Sequence, residues 1–269
     1  MRSWNDARRQ FGFPLGEWEN PIDNDLGRKE TPLSMKTDLE KYFDSNTKNL
    51  MHKWMHYFDI YDRHFSRFRG TDVHLLEIGV SQGGSLQMWK GYFGPRAVIY
   101  GADINPNCKT LEEERVKIFI GDQGDRKFLR QMRDSIPRID ILIDDGGHSM
   151  KQQIATFEEL YEKVSPDGVY LCEDTHTSYW PSFRGGLRRR GTFMEYSKRL
   201  IDQLNAWHSQ QKRSFKVNAF TKATDSLHFY DSIVVLEKKP RVEPTHRKTG
   251  SERVAPMPET LLQKFKRKF

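Results

Sequence analysis

The spacing of apolar positions changes several times along the chain, and the changes mark out its elements. Between residues 38 and 68, Leu50, Trp54, Tyr57, Phe58, Tyr61 and Phe65 carry a helical pattern. From Val73 onward, short continuous apolar runs alternate with amphipathic stretches. Val73–Val80, Val98–Asp103, Val116–Ile120, Ile139–Asp144 and Gly168–Glu173 read as strands buried on both faces. Helical patterns at Ser85–Tyr92, Asp125–Asp134 and Ser149–Val164 lie between them. Such alternation is the signature of βαβ units around a parallel sheet. After a Trp/Arg/Gly-rich stretch at 180–191, the pattern predicts a helix over Phe193–Gln210. Two last strands follow, Phe215–Phe220 and Leu227–Glu237, paired as an antiparallel hairpin across Thr221–Ser226. The expected architecture is α/β: a doubly wound, mostly parallel seven-stranded sheet with an antiparallel edge strand.

This domain is expected to span residues 38–239. Residues 1–37 read as an irregular N-terminal arm that packs on the body or on another subunit. Residues 240–269, rich in Pro and charge, read as a flexible tail with a short helix around Leu261, Leu262 and Phe265.

Composition narrows the setting. No apolar run approaches the roughly 18 residues of a membrane span. The N-terminus lacks the apolar core of a signal peptide. The two cysteines, Cys108 and Cys172, sit far apart without metal-ligand spacing, so free thiols in a reducing cytoplasm are expected. The net charge of +7 is confined to the tail. Residues 238–269 hold ten Lys or Arg and three acids, which leaves 34 of each sign in the other 237 residues. The neutral body argues against a nucleic-acid groove. The basic tail is expected either to be solvated or to touch an anionic membrane surface or polyanion.

The chemistry sits where strands end. In an open α/β sheet, ligands bind in the crevice beyond the carboxyl ends of the strands. The first strand runs into Glu77-Ile78-Gly79-Val80-Ser81-Gln82-Gly83-Gly84-Ser85, whose glycines permit a tight turn and close approach of a ligand. Asp103, 24 positions beyond Gly79, is placed to accept hydrogen bonds from ribose hydroxyls. Gly121-Asp122-Gln123 suits an adenine edge. No phosphate-binding G-x-x-x-x-G-K-[ST] loop is present, so a nucleoside without phosphates fits better than ATP or NAD. Two further strands end on carboxylates, in Asp144-Asp145-Gly146-Gly147-His148 and in Glu173-Asp174. Oxygen ligands gathered from two strand ends suit a divalent cation, and a histidine three residues on can act as a base beside it. As structure alone, acids at strand ends can simply cap the following helix.

The run from Glu77 through Gly83, with Asp103 and Asp122, resembles the cofactor half of class I S-adenosylmethionine-dependent methyltransferases. Asp145-x-x-His148 and Glu173-Asp174, 28 residues apart, resemble the metal-dependent sugar O-methyltransferase branch. Segments 52–57 and 173–181 resemble it too, and the likeness covers roughly residues 45–237. Ser81 departs from the general E/D-x-G-x-G-x-G form. The resemblance implies S-adenosylmethionine and Mg2+ as cofactors and methyl transfer to a sugar hydroxyl of a glycosylated acceptor. It implies Asp145, Glu173 and Asp174 as metal ligands and His148 as base, with Asp144 ambiguous. Glu77, Gly79, Gly83, Ser85, Asp103, Asp122 and Asp144 are assigned to the cofactor.

His56, His176, Tyr179 and Trp180 are assigned to the acceptor, although packing accounts equally well for His56, Tyr179 and Trp180, and a solvated loop position for His176. Arg184, Arg188, Arg189 and Arg190 read either as a solvated basic loop or as a contact for an anionic acceptor. A homo-oligomer is expected through the N-terminal arm. Two other classes remain open: a nucleic-acid methyltransferase, disfavoured by the neutral body, and a non-catalytic carbohydrate-binding protein.

Overall fold

In the computed structural model, apolar runs become strands wherever both faces meet a helix layer. The structure describes residues 36–211 and 213–254. Five strands, β1 (His74–Ile78), β2 (Val98–Asp103), β3 (Val116–Ile120), β4 (Ile139–Asp144) and β5 (Val164–Cys172), run parallel. With β6 (Thr224–Tyr230) and β7 (Ile233–Lys238) they form a seven-stranded sheet in the order β3-β2-β1-β4-β5-β7-β6. The antiparallel strand, β7, lies between β5 and the edge strand β6, so antiparallel pairing occupies that edge of the sheet.

Alternate residues of each strand feed two cores. One face sends Leu75, Ile141, Ile143, Val169 and Leu171 against α2 (Tyr57–Phe65) and α3 (Gly84–Phe93), where Phe58, Tyr61, Phe65, Trp89 and Phe93 are buried. The other sends Leu76, Leu142, Tyr170 and Leu236 against α4 (Arg126–Ser135), α5 (Met150–Leu160) and α6 (Phe193–Leu204). Each fully buried side chain of this size contributes roughly 1.5–3 kcal/mol. Helix starts follow local chemistry: Thr37 caps α1 (Asp38–Ser45), Asp125 caps α4 and Thr192 caps α6, each through a side-chain oxygen accepting a backbone N–H.

Three sequence expectations change. The helical pattern over 38–68 resolves into α1 and α2 with a non-helical segment between them. Asn46 accepts from Lys48 N and donates to the Asn49 carbonyl, a local turn that competes with the helix. Leu50 and Trp54, placed in the helical pattern, are exposed on this segment. Second, Phe215–Phe220 is not a strand. Asn218 and Thr221 form a reciprocal capping box that starts the short helix α7 (Ala219–Ala223). Third, Leu227–Glu237 is two strands. They turn at Asp231 and Ser232, the latter with φ 63°, so the hairpin is β6–β7.

The sixth helix ends at Leu204, followed by a short 3-10 turn at Ala206–His208. Residues 1–35 of the N-terminal arm on which an oligomer was expected lie outside the described residues, as does the helix near Leu261. The tail leaves from the end of the sheet opposite the site. Its start is tied by Arg241 N to the Lys222 carbonyl, and Pro240–Val254 carries no helix or strand. Among the described residues no helix is long and apolar enough to cross a membrane.

Candidate functional site

Parallel register brings the strand tips into one row. Asp145 N donates to the Ile78 carbonyl, Glu173 N to the Asp144 carbonyl and Gly79 N to the Ala102 carbonyl, each at 2.8–2.9 Å. Beyond these tips lies a cavity of about 430 Å³, within the range of small-ligand sites. Gly79, with φ 94°, is a forced choice: a Cβ there would stand 2.0 Å from the Asp145 carbonyl oxygen. The segment 49–51 closes one wall against Gly84, where a Cβ would lie 2.6 Å from the Leu50 carbonyl oxygen.

One end of the cavity, at the tips of β2 and β3, is lined by Asp103, Asp122 and Phe128, with Gly79, Ser81 and Ser85 of the β1 turn in the middle. Asp103 Oδ2 accepts from Val80 N and Ser81 N, both at 2.9 Å, and Oδ1 accepts from Asn105 N at 2.8 Å. The carboxylate therefore latches the β1–α3 turn as well as facing the cavity. Ser81, where the general pattern has glycine, itself adopts a left-handed conformation with φ 50°. Asp122 Oδ1 accepts from Gly124 N and fixes the β3 tip.

Gln123 turns inward instead of toward an adenine edge. Its Nε2 donates to Asp144 Oδ1 at 2.6 Å and to Thr156, and its Oε1 accepts from Gly147 N at 2.9 Å.

Three residues assigned to the cofactor stand behind the wall. Glu77 is fully buried and accepts from Ser85 Oγ at 2.8 Å. Burial pushes its carboxyl up to about 7, with Lys53 pulling the other way. Asp144 is fully buried against Gln123, and burial likewise raises it to about 7. Gly83 is a left-handed cap beneath the cavity floor, packed on Leu111. Glycine and acid patterns place these residues at the strand ends, but the pleat decides which ones face the ligand.

At the other end Asp145, His148 and Asp174 converge, each offering one donor atom within 4.8 Å of the others. His148 Nε2 lies 3.4 Å from Asp174 Oδ2 and 3.9 Å from Asp145 Oδ1, and Nδ1 is buried without a partner among the described residues. Tyr57 donates to Asp174 Oδ1 at 2.7 Å, and Thr177 Oγ1 donates to the carbonyls of both His148 and Asp174. The oxygen donors of Asp145 and Asp174, lining an open cavity, suit a hard divalent cation, with the imidazole beside them.

Glu173, expected among the ligands, is engaged by other side chains of the protein. Its Oε2 accepts from Lys53 Nζ at 2.8 Å and its Oε1 from Tyr61 at 2.6 Å. Lys53 Nζ also donates to Asp145 Oδ2 at 2.6 Å. Burial, with the Asp145 charge, raises Glu173 to about 8, against the opposing pull of Lys53. Lys53, Tyr57 and Tyr61 are site residues to which sequence reasoning assigns no role, whereas Gln123 reads in the sequence as part of a polar tip. The signal for the first three was a lysine and tyrosines inside the 52–61 segment, and only the tertiary fold brings that segment to the tips of β4 and β5.

The acceptor assignments gather at the mouth. His176 Nδ1 lies 3.0 Å from Ser232 Oγ and 3.9 Å from Asp174 Oδ1. Its ring is 4.6 Å from that of Trp180 and 6.1 Å from that of Trp54, and Tyr179, Trp180 and Trp54 are all exposed. His56 sits further out, its Nε2 3.1 Å from the Asp231 carbonyl. The loop bearing Arg184, Arg188, Arg189 and Arg190 is tied back by Gly186 N to the Ser178 carbonyl, and these arginines are exposed.

A comparison with protein-family models finds no match. The chain is 36% identical over 187 residues to the 8-demethyl-8-alpha-L-rhamnosyl tetracenomycin-C 2'-O-methyltransferase of Streptomyces olivaceus, covering 66% of this chain and 49% of that protein. It is 34% identical over 219 residues to the demethylmacrocin O-methyltransferase of Streptomyces fradiae, covering 76% and 54%. The chain thus spans about half the length of these curated relatives. Among solved structures it resembles the MycE methyltransferase of the mycinamycin biosynthetic pathway in complex with Mg and SAH. That match has a TM-score of 0.72 and 31% identity, over 86% of this chain and 60% of that one.

The sheet order and this likeness define a class I S-adenosylmethionine-dependent methyltransferase fold. Within that class, the chain's relatives place it in the sugar O-methyltransferase branch.

Proposed function

We propose that the protein transfers a methyl group from S-adenosylmethionine to a hydroxyl of a sugar in a glycosylated acceptor, with Mg2+ at the Asp145 end of the cavity. The convergence of Asp145, His148 and Asp174 on the β4–β5 side of the cavity supports this reading, with Asp103 and Asp122 on the β2–β3 side and Gly79 between them. The MycE structures were solved with Mg and SAH, one of them also with mycinamycin VI.

Asp145 and Asp174 would hold the cation, with His148 beside them. When bound it would supply positive charge that eases loss of the acceptor hydroxyl's proton. S-adenosylmethionine supplies the methyl group from its sulfonium. The chain's own residues do the rest. Gly79, Ser81, Asp103 and Asp122 seat the adenosine, Asp103 through lone pairs left after its backbone bonds. His148 takes the proton at Nε2, where Asp174 and Asp145 stabilise the resulting imidazolium, a contribution of typically ~10²–10⁴-fold. The exposed rings of Trp54, Tyr179 and Trp180, with His176, hold the sugar face. Fixing both reactants in line contributes much of the remaining acceleration.

The deciding experiment is transfer of labelled methyl from S-adenosylmethionine to rhamnosides and macrolide glycosides, paired with calorimetric titration of S-adenosylhomocysteine. Cofactor binding without transfer to any glycoside would overturn the acceptor reading. Absence of cofactor binding would overturn the enzyme reading. Nucleic-acid methylation is disfavoured because the basic tail leaves from the opposite end of the sheet.

A further inference from the structure

The Lys53 ammonium is buried at the acidic end of the cavity. Its side chain is 3% exposed, and it bridges Asp145 Oδ2 at 2.6 Å and Glu173 Oε2 at 2.8 Å. The ring of Tyr61, whose hydroxyl completes the Glu173 carboxylate, lies 5.8 Å below it. Near this cation stand Glu77 and Glu173, both buried, and Asp145 at the cavity edge. Burying a charge is tolerated only when it is paired and hydrogen-bonded, and both partners of Lys53 meet that condition.

The two oxygens of Asp145 therefore face different ways. Oδ2 is taken by Lys53, while Oδ1 faces His148 Nε2 and the donor set shared with Asp174. Glu173 has both oxygens occupied, one by Lys53 and one by Tyr61.

We infer that Lys53 is a built-in counter-cation of the acidic site. It aims Asp145 so that Oδ1 alone serves the divalent ion, and it keeps Glu173 in a structural ion pair outside the ligand set. This inference rests on the metal reading given above. A fixed ammonium beside the ion's seat neutralises the carboxylates that the ion does not need. It also repels the ion, because like charges at short range in a partly desolvated site interact strongly. Lys53 is thus a positioning residue that gives up some metal affinity for a single, defined seat.

The test is Mn2+ binding, by calorimetry and by loss of the free-ion electron paramagnetic resonance signal, on the full chain without cofactor. Lys53→Met removes the charge and keeps much of the stem. Its Mn2+ affinity is expected to rise on the order of tenfold, while kcat for methyl transfer falls and S-adenosylhomocysteine affinity stays within about twofold. A merely structural lysine would lower affinity and turnover together. Lys53→Arg keeps the charge and is expected to hold Mn2+ affinity near wild type.

If Lys53→Met does not fold, the double variant Lys53→Met/Glu173→Gln removes both charges of the pair, a change that buried pairs often tolerate. Its Mn2+ affinity is expected within a few-fold of wild type. A collapse of affinity in the double variant would show Glu173 to be a ligand and overturn the inference, as would weaker Mn2+ binding by folded Lys53→Met. Wild-type protein that binds no Mn2+ at all would instead overturn the metal reading, and this inference with it.

Discussion

His148 and Asp174 face each other across the site, Nε2 to Oδ2 at 3.4 Å, and both hold left-handed backbone conformations with φ 51°. Neither is glycine, so each conformation costs roughly 1–3 kcal/mol. Thr177, donating to both their carbonyls, clamps the two turns together. Strain held in place by a shared clamp is how a fold fixes two side chains that strand geometry alone would not aim at each other. If His148 is the base, His148→Ala lowers labelled-methyl transfer by roughly 10²–10⁴-fold. Binding of S-adenosylhomocysteine, measured by calorimetry, is unchanged. Retained turnover in this variant would remove the base assignment.

Chelation provides a second check. Dialysis against EDTA is expected to abolish transfer and Mg2+ to restore it, with the thermal midpoint little altered because Lys53 already pairs Asp145 and Glu173. Turnover that is indifferent to EDTA would rule out the cation.

Gln123 carries a prediction about stability. It ties Asp144, Thr156 and Gly147 through one amide. Gln123→Leu strands the buried Asp144 carboxyl and the Gly147 N–H, at a cost of about 1–3 kcal/mol for each unsatisfied group. Chemical denaturation should show that loss. Turnover should drop further than cofactor affinity, because Gly147 precedes His148.

The pH dependence of folding follows from Glu77, raised by burial to about 7. The native state holds this proton more tightly than the unfolded chain does. The group's contribution is therefore complete at pH values below the usual carboxylate range and is lost as pH rises through about 7. Glu77→Gln keeps an acceptor for Ser85 and removes the titration. Its thermal midpoint should overtake that of wild type as pH rises from about 5 to 8, by an amount equivalent to at most about 3 kcal/mol. Parallel curves for the two proteins would show that Glu77 does not titrate in this range.

At the mouth, Trp180→Ala removes an exposed ring that packs at a tilt against His176. The expected effect is about a tenfold rise in KM for a glycoside, equivalent to ~1.4 kcal/mol, with KM for S-adenosylmethionine unchanged. An unchanged glycoside KM would make Trp180 a packing residue. Trp54→Ala tests the opposite side of the same opening.

Much of this molecule is legible in one dimension. The apolar runs at β1 through β5 and the amphipathic stretches between them determine a parallel sheet, because only strands covered on both faces are continuously apolar. The strand-end acids Asp103, Asp122, Asp145 and Asp174, and His148 three residues past Asp145, follow from the rule that ligands meet the carboxyl ends of such strands. What the tertiary structure alone decided is direction and company. Pleat and register turned Glu77 and Asp144 into the core and left Asp145 facing the cavity. Two local turns, at Asn46 and at Asp231-Ser232, overrode the helical and strand patterns around them. Lys53 met Asp145 and Glu173 across 92 and 120 residues of chain. A contact of that separation is set by how α2 packs on the sheet, and no local period along the sequence encodes it.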